Sequence, residues 1–214
     1  MEKLSIIHSF PSPSDHLCGL AFENGNLWYS DGKESRIYKL DPEKGKQLKV
    51  YDIPSVNTSL SFYEGYLWQV TGEGYMAGPK AVTKISVKDG TVAEVIPLGD
   101  ESKYIAGIEV QGDTLWVSLE EKARLQLRKM YTNEIIRDFK VEPRIAGIVS
   151  DNAILFYCEF DQQLLVEIDP ESGEERNRYK LEGSPTGLTR DGENIWYNDY
   201  TGKKICKVKP DKMY

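Results

Sequence analysis

The chain has 214 residues, 40% of them hydrophobic, and a formal net charge of −7. That length supports one sizeable core. With 34 acidic against 27 basic residues and no basic stripe, a phosphate-tracking surface is excluded and no nucleic-acid partner is expected.

The chain begins MEKLSIIHSFPSPS, with one basic residue and no long apolar run, which predicts no secretory leader and a cytoplasmic setting. No later stretch approaches the roughly 18 apolar residues of a membrane span, so no membrane partner is expected. Cys18, Cys158 and Cys206 sit at unrelated spacings that match neither a disulfide framework nor a zinc site.

In chain order, SIIHSFP at Ser5–Pro11 is the first predicted strand. A short apolar run, CGLAF, follows a turn at Cys18–Phe22. Then comes a polar turn and the phrase NLWYSD, then SRIYKLD closed by PEKG, then the alternating QLKVYDIP at Gln47–Pro54. Each run is short, rich in β-branched and aromatic residues, and bounded by turn residues, so each reads as a strand. The phrase returns as YLWQVT, TLWVSL, ILFYCE and NIWYND. Its aromatic is Trp28, Trp68, Trp116, Phe156 and Trp196, with steps of 40, 48, 40 and 40 residues.

Four strands in a repeat of about 40 residues predict an all-β fold, a five-bladed β-propeller forming a single domain over residues 1–214. Blade repeats start near 18, 59, 106, 146 and 186. The fifth unit ends near Pro210 without a fourth strand. Residues 5–11 resemble Leu48–Pro54, so they are expected to complete the last blade and close the ring. Closure removes edges that would otherwise invite aggregation. A monomer is expected. Recurrence at one place in every blade predicts that the repeated aromatics pack between neighbouring blades.

Function is sought where the repeat is broken. In propellers the loops leading into the innermost strands and leaving the second strands open on one face of the central channel, the expected place for a pocket. The first set holds His16, Cys18, Asn57, Ser59, Tyr104, Ala106, Arg144, Ala146, Ser184 and Thr186. The second ends the LW strands at Asp31, Thr71, Leu119 with Glu120, Glu159 and Asp199. The long step adds residues in TGEGYMAGPK at Thr71–Lys80 and LGDESKY at Leu98–Tyr104, which brings in Glu73, Tyr75 and Lys80 as candidates.

The expected function is binding of a small polar or anionic ligand by Asp31, Asn57, Glu73, Tyr104, Arg144 and Asp199. Arg144 would pair with an anionic group, the carboxylates would accept hydrogen bonds, and Tyr104 would stack. One alternative is an enzyme of lyase or cyclotransferase type with His16 or Glu159 as general base; another is a protein-interaction scaffold. Asp31, Glu159 and Asp199 are hard oxygen ligands for a divalent cation, but equally suited to capping turns, and no metal-ligand motif is present.

The phrases GLAFENGNLWYSDGKESRIYKLDPEKG and YCEFDQQLLVEIDPESG resemble a group of propellers. It includes streptogramin B lyases, gluconolactonase-like proteins and the plant and bacterial type of glutaminyl cyclotransferase. The last is also five-bladed, and the resemblance implies cyclotransferase-like activity. Cys18 stands where that family carries Gln, Tyr29 where it carries Glu, and IAGI at Ile105–Ile108 where it carries a GWGL-type segment.

Overall fold

The computed structural model describes residues 1–151 and 153–210. The strands, in chain order, are β1 (Glu2–Lys3), β2 (Ile6–Pro11), β3 (Leu17–Glu23), β4 (Asn26–Asp31), β5 (Arg36–Leu40), β6 (Gln47–Asp52), β7 (Val56–Tyr63), β8 (Tyr66–Thr71), β9 (Ala81–Ser86), β10 (Val92–Pro97) and, after a 3₁₀ turn at Asp100–Tyr104, β11 (Ile105–Gln111). They continue as β12 (Thr114–Leu119), β13 (Arg124–Lys129), β14 (Ile135–Lys140), β15 (Ile145–Ser150), β16 (Leu155–Glu159), β17 (Leu164–Ile168), β18 (Glu175–Lys180), β19 (Pro185–Asp191), β20 (Asn194–Asp199) and β21 (Lys204–Val208).

They form five antiparallel sheets: β3–β6, β7–β10, β11–β14, β15–β18, and β19–β21 with β2. The fold is therefore the expected five-bladed propeller. Closure follows the expected route, because β2 pairs antiparallel with β21, setting Phe10 opposite Ile205 and Pro11 opposite Lys204. One strand lies outside the four-strand plan. β1 adds in parallel to the outer edge of β18, with Glu2 opposite Tyr179, and its neighbour Leu4 is buried against the same blade. No helix among the described residues is long and apolar enough to cross a membrane.

The core is a ring of five apolar layers, each between two blades. Trp28 lies with Val56, Leu60 and Leu67 of the next blade; Trp116 lies with Ile145, Ile148 and Tyr157; Trp196 lies with Leu17, Leu20 and Tyr29 across the closure. The alternation of β strands puts the aromatic of each LW phrase on one face, where a large ring fills the widening gap between twisted sheets. Trp28 stacks on Tyr51 at 5.8 Å and Trp116 on Phe139 at 6.0 Å. Those outer-strand rings also explain the glycine in the PEKG and PESG turns. Gly45, at φ 65°, lies against Phe10, where a Cβ would come within 2.4 Å of the ring.

Near the channel the blades approach to backbone contact. A Cβ on Gly19 would fall 2.2 Å from Leu60 N, on Gly107 2.5 Å from Ala146 O, on Gly147 2.3 Å from Thr186 O, and on Gly187 2.6 Å from Cys18 O. Only glycine fits such separations. The second blade has Ser59 instead, and its Oγ accepts a hydrogen bond from Ile108 N at 3.0 Å. Polar side chains at the ends of the second strands tie the seams. Ser118 donates to Ala146 O at 2.6 Å, Cys158 to Thr186 O at 3.3 Å, and Asn198 to Cys18 O at 3.1 Å.

The ring closure rests on Phe10, which is 7% exposed, whereas Ile7 on the same strand is 56% exposed. Phe10→Ala is expected to cost about 3–5 kcal/mol, lowering Tm by about 10 °C. Ile7→Ala should leave Tm nearly unchanged, and thermal unfolding of the two variants checks the contrast.

Candidate functional site

The inner strands begin around a cavity of about 700 Å³ at one mouth of the channel. Its polar lining includes His16, Asn57, Glu73, Tyr75, Glu120 and Arg144, and Phe160 and Tyr200 supply aromatic walls. The sequence-predicted candidates His16, Asn57, Glu73, Tyr75 and Arg144 therefore meet there.

Asp31, Glu159 and Asp199 do not line it. Each folds its carboxylate into its own turn. Asp31 accepts from the backbone of Lys33 and Glu34, both at 2.7 Å, and from the Ser14 hydroxyl. Glu159 accepts from the backbone of Asp161 at 3.2 Å and of Gln162, and Asp199 from Ser184 and Gly202, both at 3.0 Å. A strand-end carboxylate beside two free N–H groups satisfies them at short range, and this local demand wins over the cavity. Among the described residues no three His, Cys, Asp or Glu side chains converge to hold a metal ion.

Tyr104 is also outside the lining. It ends the 3₁₀ turn and packs on the layer between the second and third blades, with Lys103 and Lys122 each 5.1 Å from its ring centre. His16 is edge-on to Tyr200 at 6.3 Å, and no hydrogen bond joins it to Asp31 among the described residues. Cys18 lines the cavity, but burial pushes its thiol up to about 12, and burial likewise raises Cys158. Neither is poised as a thiolate nucleophile.

Glu120 is the residue that sequence reasoning named only in passing. In the third blade the strand-end position is the buried, apolar Leu119, which cannot cap a turn, and the next residue brings a carboxylate to the cavity wall. The absent cap at Leu119, followed by an acid, was the available signal. Glu120 is 7% exposed. Burial raises its pKa above the ordinary carboxylate range, while Arg144 pulls it back. Arg144 Nη1 lies 2.7 Å from Glu120 Oε1, and its Nε lies 3.4 Å from Asp161. Among the described residues Arg144 makes no ion pair with Glu159, which ends the second strand of its own blade. Its backbone is left-handed at φ 60°, and Phe160 N donates to its carbonyl at 3.1 Å. Its guanidinium lies 5.4 Å from the Phe160 ring centre.

The two insertions build one wall together. Lys80, 2% exposed, donates from Nζ to the carbonyls of Glu73 and Ala77 at 2.7 and 2.8 Å, and to that of Gly74. Burial lowers its pKa. Lys80 N donates to Ser102 Oγ at 2.6 Å, which fastens the first insertion to the second. So held, the loop places Tyr75, whose hydroxyl donates to Glu120, and fixes Asn57, whose Nδ2 donates to Gly72 O at 3.2 Å and Gly74 O at 2.9 Å. Asn57 Oδ1 is buried with no hydrogen-bond partner among the described residues.

Residues 74–214, about two thirds of the sequence, match the glutamine cyclotransferase family. The chain belongs to that family. The matched span holds Tyr75, Glu120, Arg144, Phe160 and Tyr200 of the cavity, while His16, Asn57 and Glu73 precede it. No curated protein matches the sequence. Among solved structures, the glutaminyl cyclase of Myxococcus xanthus superposes with a TM-score of 0.77 at 15% identity, over 96% of this chain and 95% of its own. The calcium-binding protein regucalcin of Agrobacterium tumefaciens gives 0.58 at 12% identity, over 94% of this chain and 92% of its own. The PQQ-bound aldose sugar dehydrogenase of Streptomyces coelicolor gives 0.59 at 14%, over 98% of this chain and 81% of its own. At these identities the superpositions speak for the propeller fold alone.

Replacing Lys80 by Met leaves up to three carbonyls without their donor, a loss of about 1–3 kcal/mol. Limited proteolysis of Lys80→Met is expected to cut first within residues 72–79, at a protease level that leaves the parent chain intact.

Proposed function

We propose that this protein closes the N-terminal glutaminyl residue of a peptide into a five-membered lactam, with Glu120 as the proton-transfer group. The observation that carries this reading is a buried carboxyl, held above its ordinary pKa, on the cavity wall of a glutamine cyclotransferase family member. In the reaction the neutral α-amine attacks the side-chain carboxamide carbon. A C–N bond forms, the carboxamide C–N bond breaks, and ammonia leaves. Glu120 takes a proton from the attacking nitrogen and returns it to the departing one. A carboxyl whose pKa is held above the ordinary range serves both halves of that transfer better than an ordinary, fully ionised one.

The neighbours suit this substrate. Asn57 Oδ1 is an unused acceptor for an amide or amine N–H. Arg144 is half exposed, with 45% of its side chain accessible, and is available to a carbonyl or carboxylate of the peptide as well as to Glu120. Phe160 and Tyr200 offer apolar cover. Binding a small polar ligand at the channel mouth, as the sequence suggested, is then the first step of the reaction.

A second reading, binding without turnover, is favoured by Cys18 and Tyr29. They stand where the resemblance places Gln and Glu. Tyr29 is buried, bonded to Ser14 at 2.6 Å, and is not part of the cavity lining.

Ammonia release from a panel of glutaminyl peptides separates the two. Cyclisation predicts turnover with a rising pH limb above the ordinary carboxyl range, lowered about 100-fold or more in Glu120→Gln. Because burial raises the folded-state pKa, ionising Glu120 opposes folding as pH rises past its unfolded value. Glu120→Gln should therefore unfold at no lower temperature at pH 7. Full turnover in Glu120→Gln would overturn the role of Glu120. Peptides that raise Tm yet release no ammonia would establish binding alone.

A further inference from the structure

The inner strands start at the cavity and end at the opposite mouth of the channel, around a second hollow of about 310 Å³. Every inner strand reaches it. Phe22 comes from β3, Phe62 from β7, Glu109 from β11, Ser150 from β15, and Thr189 and Arg190 from β19. Two residues beyond the inner-strand glycine, or its Ser59 counterpart, four blades carry Ala21, Ser61, Val149 and Thr189, and the third blade carries Glu109. Packing demands recur in every blade, so a lone carboxylate at this position is not required by the propeller plan.

Glu109 is also incompletely satisfied. Its Oε2 accepts from Ser61 Oγ at 3.1 Å, and its Oε1 has no hydrogen-bond partner among the described residues. The charged groups that face it are Arg190, on β19, and Asp151, just after β15. Arg190 is already engaged: its guanidinium pairs with Asp151 and donates to Gly192 O at 2.8 Å. The remaining walls, on β3 and β7, are the rings of Phe22 and Phe62 and the Ser61 hydroxyl. Arg190 favours the ionised form of Glu109 but is shared with Asp151, so with Glu109 ionised the three groups carry one net negative charge, beside the side chains of Phe22 and Phe62.

We propose that this hollow is a binding site for a small organic cation, a primary ammonium bearing an apolar group. Glu109 Oε1 accepts the ammonium, and Phe22 and Phe62 cover the apolar part. The two rings and an ionised carboxylate both favour a cation, whereas a neutral ligand gives the carboxyl no reason to release its proton. In the absence of ligand, burial pushes the Glu109 carboxyl up to about 8, so at neutral pH it holds its proton. The cation replaces that proton, and binding releases about one proton per ligand at pH 7 and strengthens as pH rises.

Isothermal titration of the whole chain with benzylammonium, against benzyl alcohol as the neutral counterpart, tests this. Benzylammonium is expected to bind about tenfold more tightly at pH 7 than at pH 6, with a measured heat that depends on the buffer's own protonation. Glu109→Gln should weaken it at least about tenfold. Glu120→Gln, at the other mouth, should not change it. No detectable binding, equal binding of benzyl alcohol, full affinity in Glu109→Gln, or loss of affinity in Glu120→Gln would each overturn the proposal. If Glu109→Gln does not fold by thermal unfolding, Phe62→Leu takes its place. Several-fold weaker binding in that variant supports the site, and unchanged affinity overturns it.

Discussion

Everything in this molecule depends on how closely the inner strands approach around the channel. The positions of Gly19, Gly107, Gly147 and Gly187 leave no room for a Cβ against the neighbouring backbone. Ser118, Cys158 and Asn198 then bridge the same seams by donating to carbonyls of the next blade. This contact sets the narrow inner radius. The repeated aromatics fill the wider gap outside it, and β2 closes the circle. A ring held at both radii is stiff, and its loops can differ between blades without disturbing it.

The site follows from that freedom. One structural position, the end of the second strand, is used in two ways. Where it is Asp31, Glu159 or Asp199, the carboxylate caps its own turn. Where it is Leu119, the cap is lost and the following Glu120 meets Arg144 and Tyr75 at the cavity. The same chemical group is thus structural in three blades and available for chemistry in a fourth. Lys80 plays a comparable part for the inserted loop. Its buried ammonium organises carbonyls that no regular strand satisfies, which holds Tyr75 and Asn57 on the cavity wall.

Much of this was legible in the chain. The LW phrase located every blade, and the fragment Ser5–Pro11 showed where the missing strand lay. The interruption of the period pointed to the loop that now carries Glu73 and Tyr75. The positions of His16, Asn57 and Arg144 at the channel face also followed from counting. Counting failed where side-chain direction decided the matter. Tyr104 sits one residue before an inner strand, as expected, but its ring turns into the core between blades. Arg144, expected to meet an anionic ligand, reaches across to Glu120 of the third blade. The strand β1, two residues long, carries too little pattern to be read at all.

The sequence by itself determined the architecture, because a repeat imposes one packing solution on each unit, and five copies of one signal outweigh local ambiguity. It also marked the places where symmetry breaks. Only the tertiary structure decided which of those departures face a cavity and which satisfy their own backbone. That choice depends on hydrogen-bond donors brought together by the fold, at distances of about 3 Å. Glu120 and Glu109 belong to this second class: each is an ordinary glutamate in the sequence, and at opposite mouths of one channel burial raises the proton affinity of each against the pull of a nearby guanidinium.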